Sequence, residues 1–255
     1  MNDTTILGSI DDPALVERVV SRRDVLRTGG SAGARFAAAS VPVALAMMAR
    51  GAFAQGTLPQ AIVDVLNFAL RLEYLEADFY TRGLAATGLI PTADRPVFTQ
   101  ISKHETAHVA LLRATLGSAA IAKPPIDLTG KGAFADVLSN YTTYKAVAQA
   151  FEDTGVRAYK GQAPALMSQP ALLSVALRIH SVEARHACEI RRLRGQKGWV
   201  SKALTDVPAL ALVYAGEANL THAGITSDVT TPATEAFDEP LSMDAVLAIV
   251  TPFTT

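Results

Sequence analysis

The chain has a single cysteine, Cys188. It can form no internal disulfide, and it offers no thiolate set for an iron–sulfur cluster. Cys188 lies inside a helical pattern, which suits a small buried apolar residue better than a reactive thiol. Aromatics are few, at 6%, with one tryptophan. Neither sign of charge dominates. Twenty-three basic and 24 acidic residues leave −1, which gives no electrostatic reason to expect nucleic acid. The chain has no Gly-rich phosphate loop, no nucleophile elbow and no block of strand alternation. The charge-free run Phe36–Ala49, bounded by Arg35 and Arg50, is too short to cross a bilayer comfortably. What is present is 255 residues, 49% of them hydrophobic. That is enough for one large domain, or two small ones, with a real core.

The first 54 residues read as an export signal. From Ser21, "SRRDVLRTGGSAGARFAAASVPVALAMMARGAFAQ" has a basic front, a weakly apolar middle and small residues at its end. Ser21-Arg22-Arg23-Asp24-Val25-Leu26-Arg27 resembles the twin-arginine type, with Val25 where that motif favours Phe. Ala52-Phe53-Ala54 is an A-x-A site, placing cleavage after Ala54. The resemblance implies passage through the twin-arginine export machinery in the folded state, and a periplasmic or secreted destination. Losing 1–54 removes six arginines and five acids, so the mature chain would carry 17 basic and 19 acidic residues.

Four blocks follow with apolar residues at helical spacing. The first spans about Leu58 to Leu84, with Ile62, Leu66 and Ala69 on a stripe that arrives at Glu73. The second opens near Asp94, has Pro96 in its first turn and ends at Gly117. The third spans about Ala133 to Lys160, with Gly161 as a stop. The fourth opens at Ser168 as N-cap, with Pro170 close behind, and ends at Gly195. Short links around Gly88–Pro91 and Pro164 predict two antiparallel hairpins. The longer link "SAAIAKPPIDLTGKG" can run the length of a helix of about 33 Å. These features predict an all-α fold: a four-helix bundle of the ferritin type over 55–198, with one long crossover. A C-terminal extension, 199–255, would pack on it. Within that extension "VPALALVYAG" would cover one end of the bundle, Trp199 would anchor the core, and Ser242 would open a short terminal helix.

The chain repeats itself. Ile101, Glu105, His108 and Arg113 match Ile179, Glu183, His186 and Arg191 at a constant offset of 78 residues. Leu72-Glu73 with Tyr80 matches Phe151-Glu152 with Tyr159 at 79. This is an internal duplication of a helical hairpin. Residues three apart stand about 60° apart on a helix, so each Glu-x-x-His converges on one point. Seven residues make nearly two turns, so each Tyr shares the face of its Glu. Two halves then offer four carboxylates and two imidazoles, the ligand set of a dinuclear carboxylate centre. Glu73, Glu105, His108, Glu152, Glu183 and His186 are the candidate ligands. Four ionised glutamates in a core repel one another, and two divalent cations cancel their charge. An oxygen-rich set with two imidazoles favours two iron or manganese ions, with zinc also compatible. Glu76 competes with Glu73, but Gly155 holds the matching place in the third helix, which favours Glu73. His104 and His180 lack repeat partners and read as surface residues or supports of a ligand. Arg178, Arg185, Arg192 and Arg194 read as a solvated face.

With these residues in hand, over about 59–255 the chain resembles the ferritin-like superfamily, in particular the exported bacterial branch related to desiccation-associated proteins. "NFALRLEYLEADFYTRG", "ISKHETAHVALLR", "HSVEARHACEIRRL" and "AFDEPLSMDAVLAIVTPF" carry the likeness. It implies the six ligands named above, with Tyr80 and Tyr159 hydrogen-bonding the site or carrying an oxidising equivalent. It also implies a centre that handles O2 or peroxide and oxidises its metals or a small substrate. A non-enzymatic protective protein of the envelope, with the metal as a staple, is the competing expectation. A homo-oligomer stays open, but nothing in the sequence establishes the closed shell of an iron store.

Overall fold

The computed structural model describes residues 58–202, 205–222, 225–226 and 233–254. The expected export signal and its cleavage site lie outside them. Four long helices dominate: α1 (Gln60–Ala85), α2 (Arg95–Leu116), α3 (Tyr141–Gln162) and α4 (Pro170–Leu193). A short α5 (Met243–Val250) closes the chain. Helix α1 packs mainly on α2 and α3 mainly on α4, and the two hairpins meet through α1–α3 and α2–α4. The fold is therefore the all-α bundle of two hairpins with one crossover. The one described ladder is antiparallel and two residues long, β1 (Thr221–His222) on β2 (Ile225–Thr226). No described helix is long and apolar enough to cross a membrane.

The crossover runs along α1. Asn67 donates to the Ala119 carbonyl at 2.9 Å and accepts from the Ile121 amide at 2.9 Å. Further along, Tyr74 donates to the Ile121 carbonyl, Asp78 pairs with Lys123, and Arg82 reaches the Ile126 carbonyl. These contacts span 15 residues of α1, or about 22 Å. The crossover then meets the chain's end, where Asp127 N–H donates to the Phe253 carbonyl at 2.9 Å.

Three helix ends differ from expectation. Helix α3 starts at Tyr141, not Ala133, because residues 133–139 form turns and Asn140 is extended at φ −120°, ψ 111°, which breaks any helix running through it. Asn140 is the cap, accepting from Thr142 N–H at 3.0 Å. Gly161 does not stop α3. It lies under the Leu241 carbonyl, which a Cβ would overlap, so its smallness serves a close approach. For α4 the N-cap is Gln169 rather than Ser168, and its side chain makes no capping bond; Pro170 takes the first helical position.

The apolar core falls into two clusters. One gathers Leu75, Phe79, Phe98, Phe151 and Ile190 with residues of the C-terminal segment. The other gathers Leu66, Leu70, Leu112, Leu172 and Ile179. Along each long helix the acidic and histidine residues fall between the two, so a polar layer crosses the bundle at mid-height.

The C-terminal segment covers α3, which is buried on nearly every face from Tyr144 to Tyr159. Its side chain Arg157, 1% exposed, pairs with Glu217 at 2.9 Å and donates to the carbonyls of Val213, Ala215 and Glu239. Asp153 receives both Arg191 nitrogens, at 2.6 and 2.5 Å, and the Tyr214 hydroxyl at 2.8 Å. Ser242 caps α5, accepting from Ala245 N–H at 3.2 Å. Trp199 is not a core anchor. It is 53% exposed, with its indole N–H on Glu235 at 2.8 Å, while its neighbour Val200 is buried. Arg178, Arg185 and Arg192 are exposed, but Arg194 turns inward to Gln149 and Asp206. Cys188 is half-buried, against Gly198.

Candidate metal centre

The polar layer draws one carboxylate or one Glu–His pair from each long helix. Helix α1 supplies Glu73, α2 Glu105 and His108, α3 Glu152, and α4 Glu183 and His186. The four glutamates are 0% exposed, His186 4% and His108 9%. They form two overlapping groups: Glu73, Glu105, His108 and Glu183, and Glu105, Glu152, Glu183 and His186. In each group one donor atom per residue lies within 4.8 Å of all the others. Glu105 and Glu183 belong to both. All six candidate ligands from the sequence are thus together. Glu76, also buried, lies outside both groups.

The imidazoles face the carboxylates through Nδ1. His108 Nδ1 is 3.2 Å from oxygens of Glu73, Glu105 and Glu183. His186 Nδ1 is 2.9 Å from Glu105 and 3.1 Å from Glu152. The tyrosines cross between the hairpins. Tyr159 on α3 donates to Glu73 on α1 at 2.5 Å, and Tyr80 on α1 donates to Glu152 on α3. The duplication seen in the sequence is therefore a two-fold-like arrangement of the site. It is broken where Glu76 faces Gly155, and again at His104, which has no counterpart histidine in the other half. A Cβ on Gly155 would stand 3.2 Å from Glu183 Oε2 and 3.3 Å from Glu76 Oε1.

This much buried charge needs compensation. Burial pushes Glu105 up to about 7, only partly offset by hydrogen bonds from His108 and His186. Burial and the charges of its neighbours push Glu183 and Glu76 well above the usual carboxylate range. Burial also raises Glu73, but the His108 charge and the hydrogen bonds around it outweigh that and hold it low. Desolvation works against the charged imidazoles, yet the carboxylates win: His186 rises to about 11 and His108 further. Protons thus take the place that cations would fill. Glu105 Oε1 lies 2.9 Å from His186 Nδ1 and Glu183 Oε1 3.2 Å from His108 Nδ1, while Glu183 Oε2 is buried with no hydrogen bond among the described residues. Buried carboxylate oxygens at the junction of the two groups, facing imidazole nitrogens, are a donor set that suits divalent cations. The donor set of six oxygen-bearing or imidazole side chains suits iron or manganese.

Of the histidines outside the set, His180 is half-buried and its Nδ1 lies 3.0 Å from the Val156 carbonyl. His104 touches the site directly, through His186. The buried polar network of Gln149, Asp153 and Arg157 was not singled out from the sequence. Its signal was there: three polar residues at spacing four form a stripe on a helix whose opposite face is also needed for packing.

A four-helix bundle with a buried Glu/His cluster shared between two hairpins is the ferritin-like class of protein, with a cluster compatible with a metal site. The ferritin-like domain family matches residues 61–196, and the chain belongs to that family. No curated protein matches the chain.

Proposed function

We propose that this is a periplasmic or secreted ferritin-like protein that holds a dinuclear iron or manganese centre. The observation that carries the reading is the pair of overlapping groups sharing Glu105 and Glu183, both fully buried. Glu105 and Glu183 would bridge the ions, Glu73 with His108 would complete one, and Glu152 with His186 the other. Such a centre supplies uptake of O2 or peroxide and oxidation of its metals or of a small substrate. Tyr159 and Tyr80 hold the terminal glutamates by hydrogen bonds, a position from which a phenol can give up a proton and an electron. The placement outside the cytoplasm rests on the twin-arginine-like segment ending at Ala54, and the affiliation with the desiccation-associated branch rests on sequence likeness. A route that exports folded proteins allows the metal to be acquired first.

Metal analysis of protein purified with its own signal should find about two ions per chain, by analogy with other four-Glu, two-His bundles. The joint change Glu105→Ala, Glu183→Ala should abolish them, and unchanged metal content in that variant refutes the reading. Consumption of ferrous iron or peroxide past one equivalent per site marks an enzyme; arrest at one equivalent marks a structural staple.

A further inference from the structure

The two imidazoles of the centre differ on their outer sides. His186 Nε2 lies 2.8 Å from His104 Nδ1, and the two rings stack with centroids 5.1 Å apart and 13° between planes. His104 Nε2 in turn lies 2.7 Å from Gln100 Nε2, the side-chain amide nitrogen, at the bundle surface. For His108, no hydrogen bond on its outer nitrogen occurs among the described residues. The repeat explains the difference. At the offset of 78 that relates the two Glu-x-x-His motifs, His104 corresponds to Val182, which has no hydrogen-bonding side chain.

We infer that His104 is a positioning residue for one half of the centre only, and that it makes the His186 metal position the tighter of the two. The inference rests on the dinuclear reading. A metal on Nδ1 leaves the proton of a neutral imidazole on Nε2. In His186 that Nε2–H donates to His104 Nδ1. For His104 to carry its own proton on Nε2, the Gln100 amide turns its oxygen, in place of its nitrogen, toward that atom. With that turn of the amide every donor meets an acceptor, and the tautomers are set from the core to the surface. Such outer partners lock the ring's orientation and raise its basicity as a ligand, and losing one costs about 10–100-fold in metal affinity. His108 lacks this support, so a site duplicated in sequence holds two inequivalent positions.

The test is a calorimetric titration of the metal-stripped full chain with manganese(II) alone, comparing wild type, His104→Ala and His104→Gln. Wild type should bind in two resolved steps. His104→Ala should weaken the tighter step by about 10–100-fold and leave the other unchanged. His104→Gln should restore it, because its amide oxygen can accept from His186 Nε2–H. Equal weakening of both steps, no weakening at all, or failure of Gln to restore where Ala weakens would overturn the inference. Absence of manganese binding by wild type would instead refute the dinuclear reading itself.

Discussion

Tyr159 and Gly155 act on the same site in opposite ways, one by what it adds and one by what it omits. The Tyr159 hydroxyl fixes Glu73 at 2.5 Å in a place no water reaches. Tyr159→Phe should lower metal affinity about 10–100-fold while leaving the helical content unchanged, as read by metal titration and circular dichroism. Gly155 leaves room for two carboxylates. Alanine there would favour the helix by about 1 kcal/mol, but its methyl would press on Glu183 and Glu76. Gly155→Ala should therefore keep or raise the melting temperature yet reduce metal uptake, a separation that scanning calorimetry and metal analysis can resolve. At this scale the sequence was most readable where spacing alone brings groups together. Glu105–His108 and Glu183–His186 sit on one helix face whatever surrounds them. Trp199, Arg191 and Arg194 were less readable, since their exposure depends on segments far away in the chain.

Helix α3 shows what a single element cannot reveal about itself. Its Gln149–Asp153–Arg157 stripe would be a solvated face in a bare bundle. The C-terminal segment turns it into an interior, and Arg157 and Arg191 then compensate buried acids. Removing one partner of a buried pair leaves an uncompensated charge and costs about 3–5 kcal/mol. Arg157→Ala should lower stability by that much in denaturant titrations. It should also expose the 205–241 region to limited proteolysis, because three backbone carbonyls lose their donor together. The helix boundaries follow the same logic. Asn140, extended and capping, sets the start of α3 locally. Gly161 is decided by the approach of Leu241, a contact that no window of sequence around it contains.

For the molecule as a whole, the centre makes stability depend on pH in a way that metal should reverse. In the metal-free protein Glu105 holds its proton up to about 7, and Glu183 and Glu76 are raised as well. A folded-state value above the unfolded one gives stability that is full below about pH 4.5 and is lost as pH rises through about 7. His186, raised from 6.5 to about 11, loses its contribution progressively across that interval, in the same direction. Glu73, held low, works the other way but is outnumbered. The metal-free chain should thus melt at a lower temperature at pH 7.5 than at pH 5, by differential scanning calorimetry in chelator. Manganese should reduce or invert that difference. Metal binding near pH 6.5 should release protons, since His108 and His186 must both deprotonate to become ligands; calorimetry in buffers of different ionisation enthalpy measures that release.

The two-hairpin bundle was legible because its periodicity, short links and internal repeat all point to the same packing. The covering role of residues after Val200 was legible only in outline, since their contacts are made by irregular backbone. The most direct measurement of the central claim is anomalous diffraction from crystals of the metal-loaded protein, collected at the iron and manganese edges. Two peaks about 3.5–4 Å apart, flanked by Glu105 and Glu183, are predicted. Peaks confined to the protein surface, or none inside the bundle, would contradict it.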